Sequence, residues 1–200
     1  MEESRLYRCL ETVNAEDAWE QAARIQLSEV VTGAVPEALT YVQAYWNNEG
    51  LYIRFTSQDD YIVSDYTKHD EPLYEQDVVE VFIDETGDGH EYLELQISPY
   101  NVIFDAYITN DLQGSIDVRT EWHFDGLQSI VEPAESGWTR YDIHIPMRNF
   151  KRPISAGDKW RINFYRIDDK RDGRREYTAW QPTGIVNYHV PAKFGRLEFV

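Results

Sequence analysis

Carboxylates on two neighbouring predicted strands are the residues of this chain best suited to chemistry. Glu80 and Asp84 lie in the run Asp77-Val-Val-Glu-Val-Phe-Ile-Asp84, and Glu94 lies in the next run, Glu91-Tyr-Leu-Glu-Leu-Gln-Ile-Ser98. Glycoside hydrolases work with paired carboxylates that flank a groove, about 5–5.5 Å or 6.5–9.5 Å apart. The chain has no Gly-x-Ser-x-Gly nucleophile turn and no phosphate-binding loop. A glycosidase-type enzyme that uses Glu80 and Glu94 is therefore one alternative, and solvated strand residues are another.

An acidic turn follows the first of these strands and could hold a metal ion. Its sequence is Asp84-Glu-Thr-Gly-Asp-Gly-His90, and calcium prefers such hard oxygen ligands. The turn lacks the glutamate that closes an EF-hand loop. It is either a structural Ca²⁺ site with Asp84 and Asp88 as ligands or a plain Asp/Gly turn.

Histidine and cysteine offer no recognisable metal motif. The single cysteine, Cys9, excludes an intrachain disulfide and a Cys₄ or Cys₂His₂ zinc site. The histidines show no metal-ligand spacing, so each is expected to be an ordinary surface or core residue; they are His69, His90, His123, His144 and His189.

The charge of the chain limits its partners. With 19 basic and 36 acidic residues among 200, the formal net charge is −17. Nucleic acid is excluded as an expected partner because Lys and Arg must neutralise phosphates, and an anionic membrane surface is excluded for the same reason. The segment Met1-Glu-Glu-Ser-Arg5 lacks the basic and apolar regions of a signal peptide, which favours a cytoplasmic location if the chain is complete.

Alternation of polar and apolar residues dominates the chain and predicts strands rather than helices. A hairpin is predicted from Thr40–Trp46 and Leu51–Thr56, and one short helix from Ala15–Ala23. Further strands are predicted at residues 77–84, 91–98, 102–108, 138–145, 160–167 and 196–200. Many short strands with little helix indicate an all-β fold, an antiparallel two-sheet β-sandwich, as one domain over residues 1–200.

Several motifs that run in order along the chain resemble family 9 carbohydrate-binding modules and their DOMON-like relatives. The most informative motif has aromatic-Glu-Gln-Asp before a Val-Glu-hydrophobic-Phe-hydrophobic-Asp strand. It is matched by Tyr74, Glu75, Gln76, Asp77, Val79, Glu80, Phe82 and Asp84. The others are Ala18-Trp19, Trp46-Asn-Asn-Glu-Gly-Leu-Tyr-Ile53, Ala179-Trp-Gln-Pro-Thr183 and Pro191-Ala-Lys-Phe-Gly-Arg-Leu197. The resemblance covers nearly the whole chain and implies a non-catalytic sugar-binding β-sandwich.

The resemblance also implies a binding site. In family 9 modules two aromatic rings hold a terminal sugar, and the matching positions are Tyr74 and Tyr188, where the family usually has Trp. Glu80 matches the hydroxyl-binding glutamate and Gln96 a nearby polar position, while Glu94 replaces a family arginine. Tyr74 and Tyr188 could equally be ordinary aromatics at loop edges. The implied ligand is a mono- or oligosaccharide end, and a glycoside hydrolase is the implied partner.

A haem-binding domain is a third alternative. Some DOMON-like domains hold haem through Met and His axial ligands, and Met147 with His144 is the candidate pair here.

Overall fold

The computed structural model describes residues 5–12, 15–135 and 137–200. Its elements are β1 (Leu6–Glu11), α1 (Ala15–Gln21), β2 (Ile25–Gln26), β3 (Ser28–Glu29), β4 (Thr40–Asn47), β5 (Gly50–Gln58), β6 (Val78–Asp84), β7 (Glu91–Ile97), β8 (Ile103–Asn110), β9 (Ile116–Arg119), β10 (Gln128–Pro133), β11 (Trp138–Pro146), β12 (Lys159–Asp169), β13 (Arg175–Ala179) and β14 (Gly195–Phe199). Short 3₁₀ turns lie at Leu73–Glu75, Met147–Asn149 and Pro191–Lys193.

The strands form two sheets that share β1. The first sheet has the order β10-β11-β5-β4, with β2 beside β4, and the second has the order β14-β12-β6-β7-β8-β9. Strand β13 also pairs with β12 and continues to β3. The first half of β1 pairs with β14 and its last two residues pair with β4. The predicted all-β two-sheet sandwich is confirmed.

The parallel pairing of β1 is a departure from the predicted all-antiparallel arrangement. Leu6–Cys9 run parallel to β14, and Leu10–Glu11 run parallel to β4. Strand β1 lies between the last strand, β14, and the first strand of the hairpin, β4. The direction in which β1 runs therefore depends on both of these neighbours. Nothing in the local residue pattern of β1 specifies that direction.

The core lies between the sheets and follows the two-residue period of the strands. Val42 and Phe55 project into it from the first sheet, and Val79, Val81 and Ile83 of β6 project into it from the second. The buried Trp46 and Trp160 both contact Phe199, with ring centroids 5.8 and 4.7 Å from that of Phe199.

The predicted hairpin is present as β4 and β5. Asn47 Oδ1 accepts hydrogen bonds from the amides of Glu49 and Gly50. A Cβ atom at Gly50 would lie 2.1 Å from the carbonyl oxygen of Ile145, so only glycine fits there.

The outer face of the second sheet is also largely buried, and this is the fold feature that positions the site. Phe82 and Tyr165 project from β6 and β12 on this side and pack with Tyr188 and Phe194 of the loop that leads to β14. A second apolar cluster therefore lies outside the main core. None of the described helices is long and apolar enough to cross a membrane.

Candidate functional site

A cavity of about 780 Å³ opens on the outer face of the second sheet. Such a volume lies within the range of about 300–1,000 Å³ that is usual for ligand pockets. All five residues expected at a sugar site line this cavity: Tyr74, Glu80, Glu94, Gln96 and Tyr188. The fold therefore brings the predicted residues together in one place.

The floor of the cavity is formed by adjacent strand positions. Glu80 of β6 lies opposite Gln96 of β7, and Phe82 lies opposite Glu94. Because alternate residues share a face, all four side chains project to the same side. Phe104 of β8, opposite Gln96, extends this floor.

The polar floor is buried and incompletely hydrogen-bonded. Glu80, Glu94 and Gln96 are only 2%, 4% and 1% exposed. Gln96 Nε2 donates to Glu94 Oε1 at 2.6 Å. Glu80 Oε1 and Gln96 Oε1 have no hydrogen-bond partner among the described residues. A buried acceptor without a donor is costly, so the floor has unmet capacity to accept hydrogen bonds.

Burial also changes the acidity of the two carboxyl groups. It raises the pKa of Glu80 well above its ordinary value, and the neighbouring charge of Glu94 raises it further. Burial raises the pKa of Glu94 to about 7, although the hydrogen bond from Gln96 acts in the opposite direction. Like charges held close together cannot both ionise easily, so the pair retains protons that free glutamates would lose.

His189 belongs to the site and was not predicted there. Its Nδ1 lies 3.0 Å from the hydroxyl of Tyr92, and its Nε2 lies 3.8 Å from Glu94 Oε2. Burial lowers the pKa of His189 to about 4, so the ring is neutral at pH 7. No sequence motif includes His189, and only its position beside Tyr188 could have suggested it.

Tyr74 is held at the cavity by the motif residues that follow it. Glu75 accepts a hydrogen bond from the hydroxyl of Tyr66, and Gln76 accepts one from the amide of Asp65. Asp77, 2% exposed, accepts bonds from the amides of Val63 and Asp169. These bonds fix the 3₁₀ turn that carries Tyr74, whose side chain remains 50% exposed.

Tyr188 has a more structural environment than its predicted role implied. It is 8% exposed, and its ring stacks on Tyr165 with centroids 4.0 Å apart. Its hydroxyl donates to the carbonyl of Arg166 at 2.9 Å. Tyr188 therefore supports the cavity wall as well as lining it, and its role in sugar binding stays a prediction.

The remaining walls are apolar residues that the sequence analysis did not select. Ile116 and Val118 of β9 and Val186 of the loop before β14 are exposed at the cavity. Arg175 also lines it, and its guanidinium is paired with Asp169 and donates to the carbonyl of Glu75. Polar and apolar residues alternate at Ile116-Asp-Val118, as is typical of a strand. Strand β9 has only four residues, so this pattern was too short to predict it.

The acidic turn after β6 does not fit a cation at Asp84. Its carboxylate is fully buried and accepts bonds from the amides of Thr86, Gly87 and Gly89 and from the Thr86 hydroxyl. Asp88 accepts a bond from the amide of His90. These donors occupy the positions that a Ca²⁺ ion would take, so the plain-turn alternative accounts for the geometry, and calcium binding elsewhere stays untested.

The expected haem ligands do not converge on a pocket. Met147 Sδ accepts a hydrogen bond from the amide of Ile154, and the His144 ring stacks on Tyr52 at 4.3 Å. Neither residue lines the cavity.

Two other histidines, which were expected to be ordinary ones, lie in a cluster with two carboxylates. His69 and His123, 54 positions apart in sequence, lie together with Asp70 and Asp105, and one ligand atom of each residue falls within 4.8 Å of the others. Because the two histidines are far apart in the sequence, no motif with metal-ligand spacing includes both of them.

Comparison with protein families gives one match over most of the chain. The family model described as "Carbohydrate family 9 binding domain-like" matches residues 12–200. A protein of Arthroderma benhamiae, named "Extracellular protein", is 27% identical over 193 residues, which span 89% of this chain and 86% of that protein.

Solved structures share the fold at low sequence identity. A protein from Bacteroides uniformis is 14% identical with a TM-score of 0.77, covering 98% of this chain and 99% of that one. A carbohydrate binding module family 9 from Caldicellulosiruptor kristjanssonii in complex with cellotriose is 15% identical with a TM-score of 0.71, covering 97% and 93%. The corresponding complex with glucose is 16% identical with a TM-score of 0.67, covering 98% and 94%.

Proposed function

The chain belongs to the carbohydrate family 9 binding domain-like family, and on this basis we propose that it binds a carbohydrate without cleaving it. The ligand in this proposal is the terminal sugar of a mono- or oligosaccharide, held in the cavity on the outer face of the second sheet. A glycoside hydrolase is the partner beside which such a module would act.

The buried acceptors on the cavity floor carry this proposal. Glu80 Oε1 and Gln96 Oε1 have no donor among the described residues, and both belong to side chains that line the cavity. A pyranose presents several hydroxyl donors around its rim. A sugar hydroxyl that donates to one of these oxygens would supply the hydrogen bond that the buried acceptor lacks.

The apolar part of the cavity suits the other surface of a sugar ring. A pyranose has C–H faces, and aromatic rings pack against such faces while their polar atoms remain hydrated. Tyr74, half exposed at the rim, offers a ring for this contact. Phe104 on the floor offers a second apolar surface, and Tyr188 contributes the part of its ring that Tyr165 does not cover.

The relatives support the same ligand class. Two structures with this fold were solved with cellotriose and with glucose. Since one ligand is a single sugar and the other a short chain, we propose that one chain end is enough for recognition here. Mono- and disaccharides should then bind about as well as longer polymers, with modest affinity because few atoms are engaged.

A glycosidase remains the second candidate because the pKa of Glu94 is raised to about 7 beside Glu80. A raised carboxyl pKa is a property of catalytic acids. The arrangement argues against cleavage, however. Glycosidase carboxylates flank the scissile bond, whereas Glu80 and Glu94 project from adjacent strands onto one floor.

A glycan array followed by calorimetry tests the proposal. Glucose, cellotriose and the methyl glycoside of glucose compare a free chain end with a blocked one, and product analysis on the same mixtures detects cleavage. We expect saturable 1:1 binding without hydrolysis. Absence of binding to every glycan on the array would refute the proposal, and released sugar would favour the glycosidase.

A further inference from the structure

The cluster of His69, Asp70, Asp105 and His123 lies where loops cover an exposed edge of β8. Strand β9 pairs only with Tyr107–Asn110, which leaves the beginning of β8 without a strand neighbour on that side. There the amide of Asp70 donates to the carbonyl of Ile103. The β9–β10 connection, which carries His123, returns to the same place.

We propose that these four side chains bind a divalent transition metal ion of the zinc type. Each of the four residues offers one ligand atom, and these atoms all lie within 4.8 Å of one another. The proposal does not rest on the proposed sugar binding, since His69, His123 and Asp105 lie outside the cavity and only Asp70 also lines it.

The distances are those of a nearly assembled tetrahedron. His123 Nδ1 lies 2.9 Å and His69 Nε2 lies 3.2 Å from Asp105 Oδ1. His123 Nδ1 lies 4.0 Å from Asp70 Oδ2. With zinc bonds of about 2.0–2.1 Å, neighbouring ligand atoms of a tetrahedral site are about 3.3–3.4 Å apart. Small side-chain rotations would therefore close the four atoms around an ion.

The charges and donor types select the class of ion. Two carboxylates and two imidazoles in the unprotonated form that binds a metal would carry a total charge of −2, which a divalent cation neutralises. Imidazole nitrogen is a ligand for zinc and its transition-metal neighbours, whereas Ca²⁺ takes oxygen ligands.

The carboxylates are held in place by other contacts. Asp105 is 2% exposed, and its Oδ2 accepts a hydrogen bond from the amide of Phe124 at 2.7 Å, which leaves Oδ1 toward the histidines. Asp70 has a φ of +64°, and its Oδ1 is buried without a hydrogen-bond partner in the described part of the chain. A backbone amide that orients a ligating carboxylate is a usual feature of metal sites.

An ion at this position would join three segments that are distant in sequence. They are the loop at residues 69–70, strand β8 and the β9–β10 connection. Asp70 and Thr120 also line the cavity, so the ion would stabilise the wall at one end of it. The side chains of His69 and His123 are 44% and 48% exposed, which leaves a path for metal entry.

The test uses the full chain, freed of any histidine tag and stripped of metal. Zinc chloride is titrated by calorimetry, and thermal unfolding is followed with and without zinc. We expect one Zn²⁺ per chain and, at about 100-fold excess over Kd, a rise in Tm of roughly 5 °C or more. Calcium chloride should give neither effect.

Two ligand variants and one matched control complete the experiment. His69→Ala and His123→Ala remove exposed side chains, so both should fold, as circular dichroism would verify, and each should weaken zinc binding at least about tenfold. His90→Ala removes an exposed histidine outside the cluster and should respond to zinc as the wild type does. A wild type that does not bind zinc, or an equal zinc response in all four proteins, would overturn the proposal.

Discussion

Glu80 lies directly opposite Gln96 in the register of β6 and β7, and each side chain carries a buried oxygen without a partner among the described residues. The two oxygens belong to adjacent strands, and the strand period brings both to the cavity side. Glu94, two residues before Gln96, accepts the amide hydrogen of Gln96. Glu94 thereby orients the amide group of Gln96. The unpaired oxygens of Glu80 and Gln96 remain as hydrogen-bond acceptors on the cavity floor. We therefore expect a ligand rich in hydroxyl donors to bind at this floor.

Replacing Glu80 with Gln tests the role of that floor. Glu80→Gln keeps the size of the side chain but exchanges a carboxylate oxygen for an amide that donates. We expect sugar affinity to fall by about tenfold or more, because a sugar hydroxyl that meets the amide nitrogen loses its acceptor and a buried unsatisfied group costs about 1–3 kcal/mol. Calorimetry with the best ligand from the glycan array measures this. Glu132→Gln, an exposed change on β10, should leave affinity unchanged, and equal loss in both variants would contradict the assignment.

Tyr74 should contribute to binding without contributing to stability. Its side chain is 50% exposed, so Tyr74→Ala removes little buried area from the folded protein. We expect the variant to lose sugar affinity by about tenfold or more while its Tm stays within a few degrees of the wild type. Tyr100→Ala is the control, since Tyr100 is 66% exposed and does not line the cavity. Unchanged affinity in Tyr74→Ala would remove this ring from the site.

Much of the site could be predicted from sequence because its residues lie on regular strands. Alternation within residues 77–84 and 91–98 predicted the two strands that carry Glu80, Glu94 and Gln96, the family resemblance selected these residues, and the pairing of β6 with β7 brings them together. His189 and the pair His69 and His123 could not be found this way. They lie in loops and meet their partners through tertiary packing, which residue spacing does not record. The burial of Tyr188 was missed for the same reason, since Tyr165 on β12 supplies the stacking surface.

Asp84 should stabilise the protein through its turn rather than through calcium. Asp84→Ala removes the acceptor of four hydrogen bonds, three of them from backbone amides. Leaving such buried donors unpaired should lower the free energy of unfolding by about 3 kcal/mol. Denaturant unfolding should give the same loss of unfolding free energy for Asp84→Ala in EDTA as in excess Ca²⁺. A wild type stabilised by Ca²⁺, with no such response in Asp84→Ala, would instead make Asp84 a calcium ligand.

Tyr188 should behave in the opposite way to Tyr74. Tyr188→Ala leaves the stacking surface of Tyr165 without its partner, and we expect it to destabilise the fold by about 3–5 kcal/mol. Tyr188→Phe keeps the ring and loses only the bond to the Arg166 carbonyl, which should cost about 1 kcal/mol. Urea unfolding measures both. If Tyr188→Ala is as stable as the wild type, the ring is not a structural part of the wall.

The raised pKa of Glu94 makes stability depend on pH in a defined direction. Its pKa is about 7 in the folded protein and 4.5 in its ordinary environment, so the folded state binds a proton more tightly than the unfolded state. Stability is therefore fully present below pH 4.5 and is lost as the pH rises toward 7. Glu80, which faces Glu94 from β6, acts in the same direction, as does the distant Asp77, whose pKa is raised to about 7. His189, packed against Glu94 from the loop before β14, has a lowered pKa of about 4 and acts oppositely, but only below about pH 6.5.

Glu94→Gln should remove part of this pH dependence, because an amide of the same shape does not ionise and can still accept the bond from Gln96. At pH 5 the variant and the wild type should have similar free energies of unfolding. At pH 8 the variant should be more stable by about 3 kcal/mol, the cost of ionising the buried carboxyl. Urea unfolding at several pH values between 5 and 8 measures the difference, with Glu20→Gln, an exposed change in α1, as the control. The residual slope in Glu94→Gln belongs to the other groups with a raised pKa, among them Glu80, Asp77, Asp59 and Glu85. Parallel curves for Glu94→Gln and the wild type would show that Glu94 is ionised in the folded protein throughout this range, and that the cavity floor is better hydrated than its burial indicates.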